Sequence, residues 1–380
     1  MEWTRGKPVG RGSFSTVSLA VPRSGCSITK FPPLMAVKSA FASKSSSLRM
    51  EKEILTHLRG CPQILHCFGD DLTVENGNQI YNIFLEYAPT GSLADLLKIS
   101  GGLFVESDVR RYARSILRGL RCIHANGYVH CDIKPQNILV CSYPDGSNGV
   151  KIADFGLAKT AGNEKRRTEG GVSELRGTPL YMSPESIARN EHEAPADIWA
   201  LGCAVLEMVL GKPAWRCRAS EEVVALLYRI GFGEEVPEIP AELSAEGRDF
   251  IEKCFIKDPR KRWTAEMLLN HPFVAEDTVS LSECEKQSPS PRSAFDFPEW
   301  NSLRSSVSNS VDSSSSSPVS SSSSDSLTCC EEEEKDQSDS PRYSASRIRE
   351  VATGQVSNWS TSDGWVTVRE AESSVSLVGQ

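Results

Sequence analysis

Two short polar segments in the middle of the chain contain the side chains that chemistry on a phosphate would need. The first is the octapeptide HCDIKPQN at positions 130–137, and the second is the triplet DFG at positions 154–156. Phosphoryl transfer needs a carboxylate to orient the acceptor hydroxyl, oxygen ligands for Mg²⁺ and a cation beside the transferred charge. The candidates for these roles are Asp132 for the hydroxyl, Asn137 and Asp154 for the metal, and Lys134 for the charge.

A lysine on a predicted strand and a glutamate on the next predicted helix form a second candidate pair. A lysine on a strand is most often exposed, but a buried Lys38 could be held by Glu51, which lies on the helix predicted for 47–58. Glu53 is the alternative partner, although its position on that helix points roughly 200° away. Leu55, one turn after Glu51, is expected to pack beneath the pair. We therefore predict that Lys38 and Glu51 meet near the phosphates of a nucleotide.

A glycine-rich segment, GRGSFSTV at positions 10–17, lies between two predicted strands. Gly10 and Gly12 would let backbone amides approach phosphate oxygens, because glycine has no Cβ. The residues alone leave open a phosphate-binding loop, an ordinary hairpin and a dinucleotide-binding turn. The last is disfavoured, since no helix is predicted to open after Gly12.

The elements that must position these side chains change in type along the chain. Short strands are predicted at 17–21, where Val17, Leu19 and Val21 alternate with smaller or polar residues, and at 35–38 and 80–87. From Val109 onward helices dominate, and the helix predicted for Ala196–Val209 is apolar almost all round. The pattern predicts an α+β fold with a small β-rich lobe, a larger helical lobe and a nucleotide cleft between them.

The acidic residues are concentrated at the C-terminal end of the chain. Residues 276–380 contain 8 Lys and Arg against 18 Asp and Glu, whereas the part before them is close to neutral. No strongly basic face is expected, so nucleic-acid binding is disfavoured. The twelve cysteines have no zinc-ligand spacing, the N-terminus has no apolar leader, and two acids interrupt the longest apolar stretch. We expect an intracellular protein, cytoplasmic or nuclear, with free thiols and no membrane insertion.

The composition also predicts the domain boundaries. Residues 3–274 read as one packed domain, with lobes of about 3–88 and 89–274, and the serine-rich, acidic 275–380 reads as a disordered regulatory tail. Within the tail, 357–369 contains two tryptophans and is either a short docking segment or a chance apolar patch. Four serines precede prolines and are expected to be phosphorylated by proline-directed kinases: Ser288, Ser290, Ser317 and Ser340.

Residues 3–274 resemble the eukaryotic protein kinases in the segments quoted above and in three further positions. Ser183-Pro184-Glu185 stands where the family closes its activation segment, and Asp197 stands at the head of the central buried helix. Arg262 stands where the family has an arginine that pairs with that glutamate. The resemblance implies the bilobal protein kinase fold, with ATP and Mg²⁺ as cofactors.

The resemblance also implies roles for individual residues. Leu85 would guard the adenine pocket, and the hinge at 86–88 would bond the adenine ring through its backbone. The implied nucleotide-binding residues are Val9, Gly10, Gly12, Val17, Ala36, Lys38, Glu86, Ala88 and Leu139. The implied catalytic residues are Lys38, Glu51, Asp132 and Lys134, with Asn137 and Asp154 as metal ligands.

Two positions indicate the substrate class. Serine/threonine kinases have a lysine two residues after the catalytic aspartate and a threonine shortly before the end of the activation segment, and this chain has Lys134 and Thr178 there. The closer resemblance is to plant mitogen-activated protein kinase kinase kinases of the MEKK-like type. It rests on the opening Trp3–Lys7, the segments at 130–134 and 154–159, and the ending at 263–273. That resemblance implies a mitogen-activated protein kinase kinase as the protein substrate, phosphorylated on its activation loop in stress signalling.

Two departures from the family pattern support alternatives. Ser15 replaces a glycine and Cys131 replaces an arginine, so a pseudokinase scaffold that binds partners without phosphotransfer stays open, as does a kinase of another pathway. Because cysteine carries no fixed positive charge, Cys131 cannot clamp an activation-segment phosphate. We therefore expect activity that depends little on phosphorylation of Thr160, Thr168 or Ser173.

Overall fold

An antiparallel sheet forms the N-terminal part of the molecule. In the computed structural model, the described residues are 2–12, 15–23, 31–142, 148–162, 175–215 and 223–275. The sheet contains β1 (Trp3–Arg11), β2 (Thr16–Pro22), β3 (Met35–Phe41), β4 (Cys67–Glu75) and β5 (Asn78–Leu85), in the order β1-β2-β3-β5-β4. Helix α1 (Ser46–His57) lies between β3 and β4 in the chain. Asn76 and Gly77 both have positive φ in the turn between β4 and β5, as a tight hairpin requires.

The buried residues of β2 differ from those that the alternation of apolar and polar residues predicted. Ser18 and Ala20 are buried, whereas Val21 is exposed. The reason is that both faces of the sheet are covered. Ala20 packs with Met35 and Phe84 on the outer face, while Val17 belongs to the main core on the inner face.

The helical part begins after β5, and its described residues contain eleven further α-helices and β-strands. They are α2 (Leu93–Ile99), α3 (Glu106–Ala125), β6 (Tyr128–Val129), β7 (Ile138–Ser142), β8 (Asn148–Ile152), β9 (Lys159–Thr160), α4 (Pro184–Arg189), α5 (Ala194–Leu210), α6 (Val223–Phe232), α7 (Ala245–Cys254) and α8 (Ala265–Leu269). Strand β6 pairs with β9, and β7 pairs with β8. The elements that the apolar patterns predicted at 109–123 and 196–209 are α3 and α5.

Helix α5 is the centre of this helical part. Every residue from Asp197 to Met208 is buried, because neighbouring helices cover the helix on all sides. Gly202 allows close packing, since a Cβ there would lie 2.8 Å from Cys254 Cβ. No helix among the described residues is both long and apolar enough to cross a membrane. The predicted tail, including 357–369 and the four serine-proline sites, lies outside the described residues.

Candidate active site

Lys38 and Glu51 meet as the sequence predicted. The register of β2 with β3 pairs Lys38 with Val17, and α1 brings Glu51 against the lysine, with Glu53 exposed on the other side of the helix. Lys38 Nζ lies 2.6 Å from Glu51 Oε2 and 2.9 Å from Asp154 Oδ1. The lysine and the glutamate are buried, and the two short ion pairs of Lys38 join the sheet to α1 and to the DFG segment.

The three charges shift one another's protonation. Burial would lower the pKa of Lys38, but Asp154 and Glu51 together raise it above its ordinary value. Burial raises the pKa of Glu51, and Lys38 offsets that effect only in part. Burial would also raise the pKa of Asp154, yet the charge and hydrogen bond of Lys38 lower it to about 2. Asp154 is therefore an anion at neutral pH, as a metal ligand must be.

A second group of contacts surrounds Asp132. Lys134 Nζ lies 2.8 Å from Asp132 Oδ2, and Asn137 Nδ2 donates to the same oxygen at 2.9 Å. Thr178 Oγ1 donates to Asp132 Oδ1 at 2.7 Å and accepts a hydrogen bond from Lys134 at 2.8 Å. Thr178, which the sequence marked only as an indicator of substrate class, thus contacts the carboxylate directly.

Thr178 can approach because the residue before it is glycine. Gly177 has a φ of +110°, and a Cβ there would lie 2.6 Å from the carbonyl oxygen of Cys131. Any side chain would push the two segments apart.

The oxygen atoms of Asn137 and Asp154 fit a divalent cation. Asn137 Oδ1 is buried and has no hydrogen-bond partner among the described residues, although a buried amide oxygen ordinarily has one. Asp154 is partly exposed, and Lys38 contacts its Oδ1. Two hard oxygen ligands of this kind are what Mg²⁺ takes from a protein when phosphates and water supply the rest.

The backbone of the 130–137 loop is held by Asp197, a role that the sequence did not reveal. Asp197 Oδ2 accepts from the amide of His130 and Oδ1 from that of Cys131, each at 2.9 Å, and His124 Nε2 lies 2.9 Å from Oδ2. These bonds hold Cys131 at a φ of +67°, which is rare for a residue with a side chain. Burial would raise the pKa of Asp197, but His124 and the other donors lower it overall.

Four of the residues implied for nucleotide binding are apolar and lie in or against the main hydrophobic core. Val17 and Ala36 belong to that core, and Val9 and Leu139 are partly buried and pack against it. In the glycine segment, Gly12 N donates to Ser15 O at 2.8 Å, and β2 begins at Thr16. The next described element is therefore a strand that pairs with β1, and the segment joins two hairpin strands where a dinucleotide-binding turn would open a helix.

In the hinge, the side chain of Glu86 is held by another residue. Lys151 Nζ lies 2.7 Å from both carboxylate oxygens of Glu86, and Glu86 N donates to His66 O. Ala88 O accepts from Gly91 N. The sequence offered no pattern for the Glu86–Lys151 pair.

A family model for the protein kinase domain matches residues 3–274. The chain belongs to the protein kinases. The kinase is 45% identical over 379 residues to "Mitogen-activated protein kinase kinase kinase 20" of Arabidopsis thaliana, which covers 97% of this chain and 100% of that protein. It is 40% identical over 308 residues to the Arabidopsis protein of the same title numbered 17, covering 80% and 78% of the two chains.

These relatives place the chain among the serine/threonine kinases of the mitogen-activated protein kinase kinase kinase group. The bilobal α+β fold, the enzyme class and this group are therefore confirmed. The pseudokinase alternative finds no support in the relatives.

Proposed function

We propose that this kinase uses Mg²⁺, held by Asn137 and Asp154, to transfer the γ-phosphoryl group of ATP to serine or threonine hydroxyls of a mitogen-activated protein kinase kinase. The observation that carries the proposal is the contact group around Asp132. A carboxylate has about four acceptor positions. Among the residues that the structure describes, Lys134, Asn137 and Thr178 occupy three of them, which leaves one for the hydroxyl of a substrate.

The proposed reaction assigns a task to each side chain. Asp132 orients the acceptor hydroxyl and takes its proton while the oxygen bonds to the γ-phosphorus and the bond to the β-phosphate bridge breaks. Lys134 adds positive charge beside the transferred group, and Lys38, held by Glu51, lies ready for the other phosphates. Bound Mg²⁺ would neutralise charge on the phosphates.

Two matched variants test the division of roles. Asp132→Asn should keep nucleotide affinity near the wild-type value and lower turnover by about three orders of magnitude or more. Asp154→Asn should weaken binding of the nucleotide in the presence of Mg²⁺ as well. Equal losses of affinity and rate in the Asp132 variant would contradict the assignment.

The substrate is tested with a panel of purified kinase kinases whose own activity has been removed. Support for this tier of the cascade comes from the names of the relatives. We expect phosphorylation on their activation loops, with Lys38→Met as the inactive control. Phosphorylation of a generic basic protein, but of none of the panel, would place the enzyme in another pathway.

The domain boundaries and the tail belong to the same proposal. We infer that 3–274 is a complete catalytic domain acting in the cytoplasm or nucleus, without nucleic acid as a partner, and that 275–380 is a regulatory appendage phosphorylated by proline-directed kinases. A fragment of residues 1–274 should be folded and active, and mass spectrometry of the full chain should find phosphate at the four serine-proline sites. An insoluble fragment would contradict this division.

A further inference from the structure

A histidine and a tyrosine connect the last turn of α1 to the helical part of the kinase. His57 is the last residue of α1, and Tyr128 is the first residue of β6. His57 Nδ1 lies 2.6 Å from Tyr128 Oη, which is a hydrogen-bond distance. The two rings are also stacked, with centroids 6.1 Å apart and planes inclined by 24°. The contact therefore constrains both the distance and the relative orientation of two elements that are far apart in the chain.

The tyrosine is the fixed member of this pair. An exposed histidine in the last turn of a helix often has no task beyond placing positive charge at that end. His57 is exposed, but its ring contacts one particular side chain of another element. Tyr128 is half-buried and packs against the main core, and Val129 beside it is fully buried. The hydrogen bond thus restrains the end of α1.

Strand β6 shares its fixed backbone with the 130–137 loop. Its two residues pair with β9, the short strand that follows the DFG segment. Just before β6, Gly127 O accepts from Ala161 N at 2.8 Å. Directly after β6 comes His130, whose amide donates to Asp197. A side chain on β6 therefore reports the position of the 130–137 loop to whatever it contacts.

Other polar side chains of α1 attach the helix to the sheet. Lys52 Nζ lies 3.2 Å from a carboxylate oxygen of Asp70 on β4. The guanidinium of Arg49 lies over the ring of Tyr81 on β5, 4.1 Å from its centroid. These contacts hold α1 against the sheet and leave its position relative to the helical part to be set elsewhere.

Two contacts of α1 set that position. Glu51 Oε1 accepts from the amide of Phe155 in the DFG segment at 3.3 Å. His57, six residues later and about 9 Å further along the helix axis, contacts Tyr128. Because the two attachments lie at different points along the axis, together they fix the direction of the helix as well as its distance from the 130–137 loop.

We propose that His57 and Tyr128 are positioning residues for the phosphoryl transfer, because their contact holds α1 where Glu51 keeps Lys38 in the cleft. Both act through Glu51. The inference rests on the function proposed above, in which Lys38 serves the phosphates of the nucleotide. When the contact is lost, the last turn of α1 is free to move away from β6, and the Lys38–Glu51 pair is formed in a smaller fraction of the molecules.

The test measures steady-state phosphorylation of a generic basic protein by the full-length kinase. Tyr128→Phe removes only the hydroxyl, and it should lower kcat by about 3–10-fold, the ratio expected for one ordinary hydrogen bond. The KM for the protein substrate should stay at the wild-type value, because the contact acts through α1. Tyr228→Phe removes a hydroxyl from an exposed tyrosine on α6, and as the matched control it should leave both constants unchanged.

Variants of the histidine test the chemistry of the contact. His57→Ala should lower kcat at least as far as Tyr128→Phe does, although alanine is the better helix former. His57→Asn should restore most of the rate, because its amide places a polar atom as many bonds from the backbone as Nδ1. The double variant His57→Ala/Tyr128→Phe should be no slower than His57→Ala, since both changes remove the same contact.

Glu51→Gln separates this inference from the proposed function. On its own it should lower kcat by more than about tenfold, because the proposed reaction needs the Lys38–Glu51 pair. Adding Tyr128→Phe to it should change kcat by less than about twofold, since the positioning role acts through Glu51. A wild-type rate in Glu51→Gln would overturn the proposed role of that glutamate, and the positioning role with it.

Three other results would overturn the positioning role alone. They are a wild-type kcat in Tyr128→Phe when Glu51→Gln is slow, losses that multiply in full when the two changes are combined, and a His57→Asn variant as slow as His57→Ala.

Discussion

Two of the places where the kinase buries charge are partnered in different ways. In the cleft, one cation faces two carboxylates, since Lys38 contacts both Glu51 and Asp154. Beside α5, Arg262 and Glu185 form a bidentate pair with N–O distances of 2.6 and 3.0 Å. The arginine also donates to the carbonyl oxygens of Ile256, Pro195 and Lys257.

Whether the buried charges balance each other distinguishes an ion pair that stabilises the fold from one that belongs to a binding site. Arg262 and Glu185 balance each other and the arginine's other donors have acceptors, so this pair has no need of a ligand. The cleft has an excess negative charge and, within the described part of the chain, an unpartnered oxygen on Asn137, and a bound cation would satisfy both. Buried charge that is satisfied within the protein maintains the fold, and buried charge that is incomplete marks the place where a substrate or metal binds.

The largest expected effect comes from removing the excess carboxylate. Asp154→Asn leaves the Lys38–Glu51 pair balanced, so it should lower turnover by at least about 10³-fold, roughly 4 kcal/mol of transition-state stabilisation. The loss of unfolding free energy should stay below about 3 kcal/mol, because the lowered pKa of Asp154 sets the scale of its contribution and the surviving pair is still neutral overall. Kinase assays and denaturant titration of the same preparation give both numbers. A variant that loses stability and activity together would show that the cleft charges maintain the fold as well.

Breaking the Arg262–Glu185 pair should mainly lower stability, in contrast to Asp154→Asn, which should mainly lower activity. Arg262→Met leaves Glu185 charged and buried without its cation, which should cost about 3–5 kcal/mol of unfolding free energy. Arg121→Met is the matched control, because Arg121 and its partner Glu266 are both exposed. That control should cost less than about 1 kcal/mol. If Arg262→Met loses no more unfolding free energy than Arg121→Met, the bidentate pair with Glu185 does not stabilise this part of the fold.

Another buried carboxylate sharpens the comparison because its partner is neutral. Glu207 on α5 is buried, and Tyr181 Oη donates to its Oε2 at 2.5 Å. Burial raises the pKa of Glu207, and the Tyr181 hydrogen bond offsets this only in part. A carboxyl with a raised folded pKa favours the folded state fully below its unfolded pKa, and that contribution is lost as pH rises through the folded value.

Glu207→Gln removes this penalty and should raise the unfolding free energy by about 1 kcal/mol at pH 7. The gain should vanish near pH 4, where the carboxyl is protonated in both states. Urea titrations of wild type and variant at several pH values measure the difference, with the exposed Glu266→Gln as control. A gain that is independent of pH would point to packing as its cause.

The smallest effect is expected at the half-exposed pair Lys159–Glu193. Glu193 accepts hydrogen bonds from Lys159 Nζ at 2.7 Å and from the amide of Gly162. This carboxylate therefore holds the start of the activation segment without a phosphate, whereas Cys131 provides no cation that could bind one. Phosphatase treatment should therefore lower the rate by less than about tenfold, or 1.4 kcal/mol.

A variant with alanine at Thr160, Thr168 and Ser173 is the companion measurement. The last two of these residues lie outside the described residues. A larger loss in either experiment would mean that another cation takes the place of the missing arginine.

The sequence predicted contacts that depend on residue type and on helix geometry. Glu51 was chosen over Glu53 from its direction on α1, and the tasks of Asp132 and Asp154 followed from the chemistry of their carboxylates. The contacts of Asp197 could not be predicted, because it binds backbone amides more than sixty positions away and such bonds leave no pattern in side-chain identity. The burial of Ser18 and Ala20 on the outer face of β2 could not be predicted either, because the alternation of residue types does not show that both faces of a sheet are covered.

The attachment of the catalytic loop to Asp197 separates two properties of the enzyme. The Asp197 carboxylate accepts hydrogen bonds from the backbone amides of His130 and Cys131. These bonds fix the path of the loop without involving the side chain at position 131. A cysteine can therefore stand at position 131 while Asp132, the proposed proton acceptor, keeps its place. In the proposed mechanism the side chain concerned with regulation is adjacent in the chain to the one concerned with catalysis, yet a change in the first need not move the second.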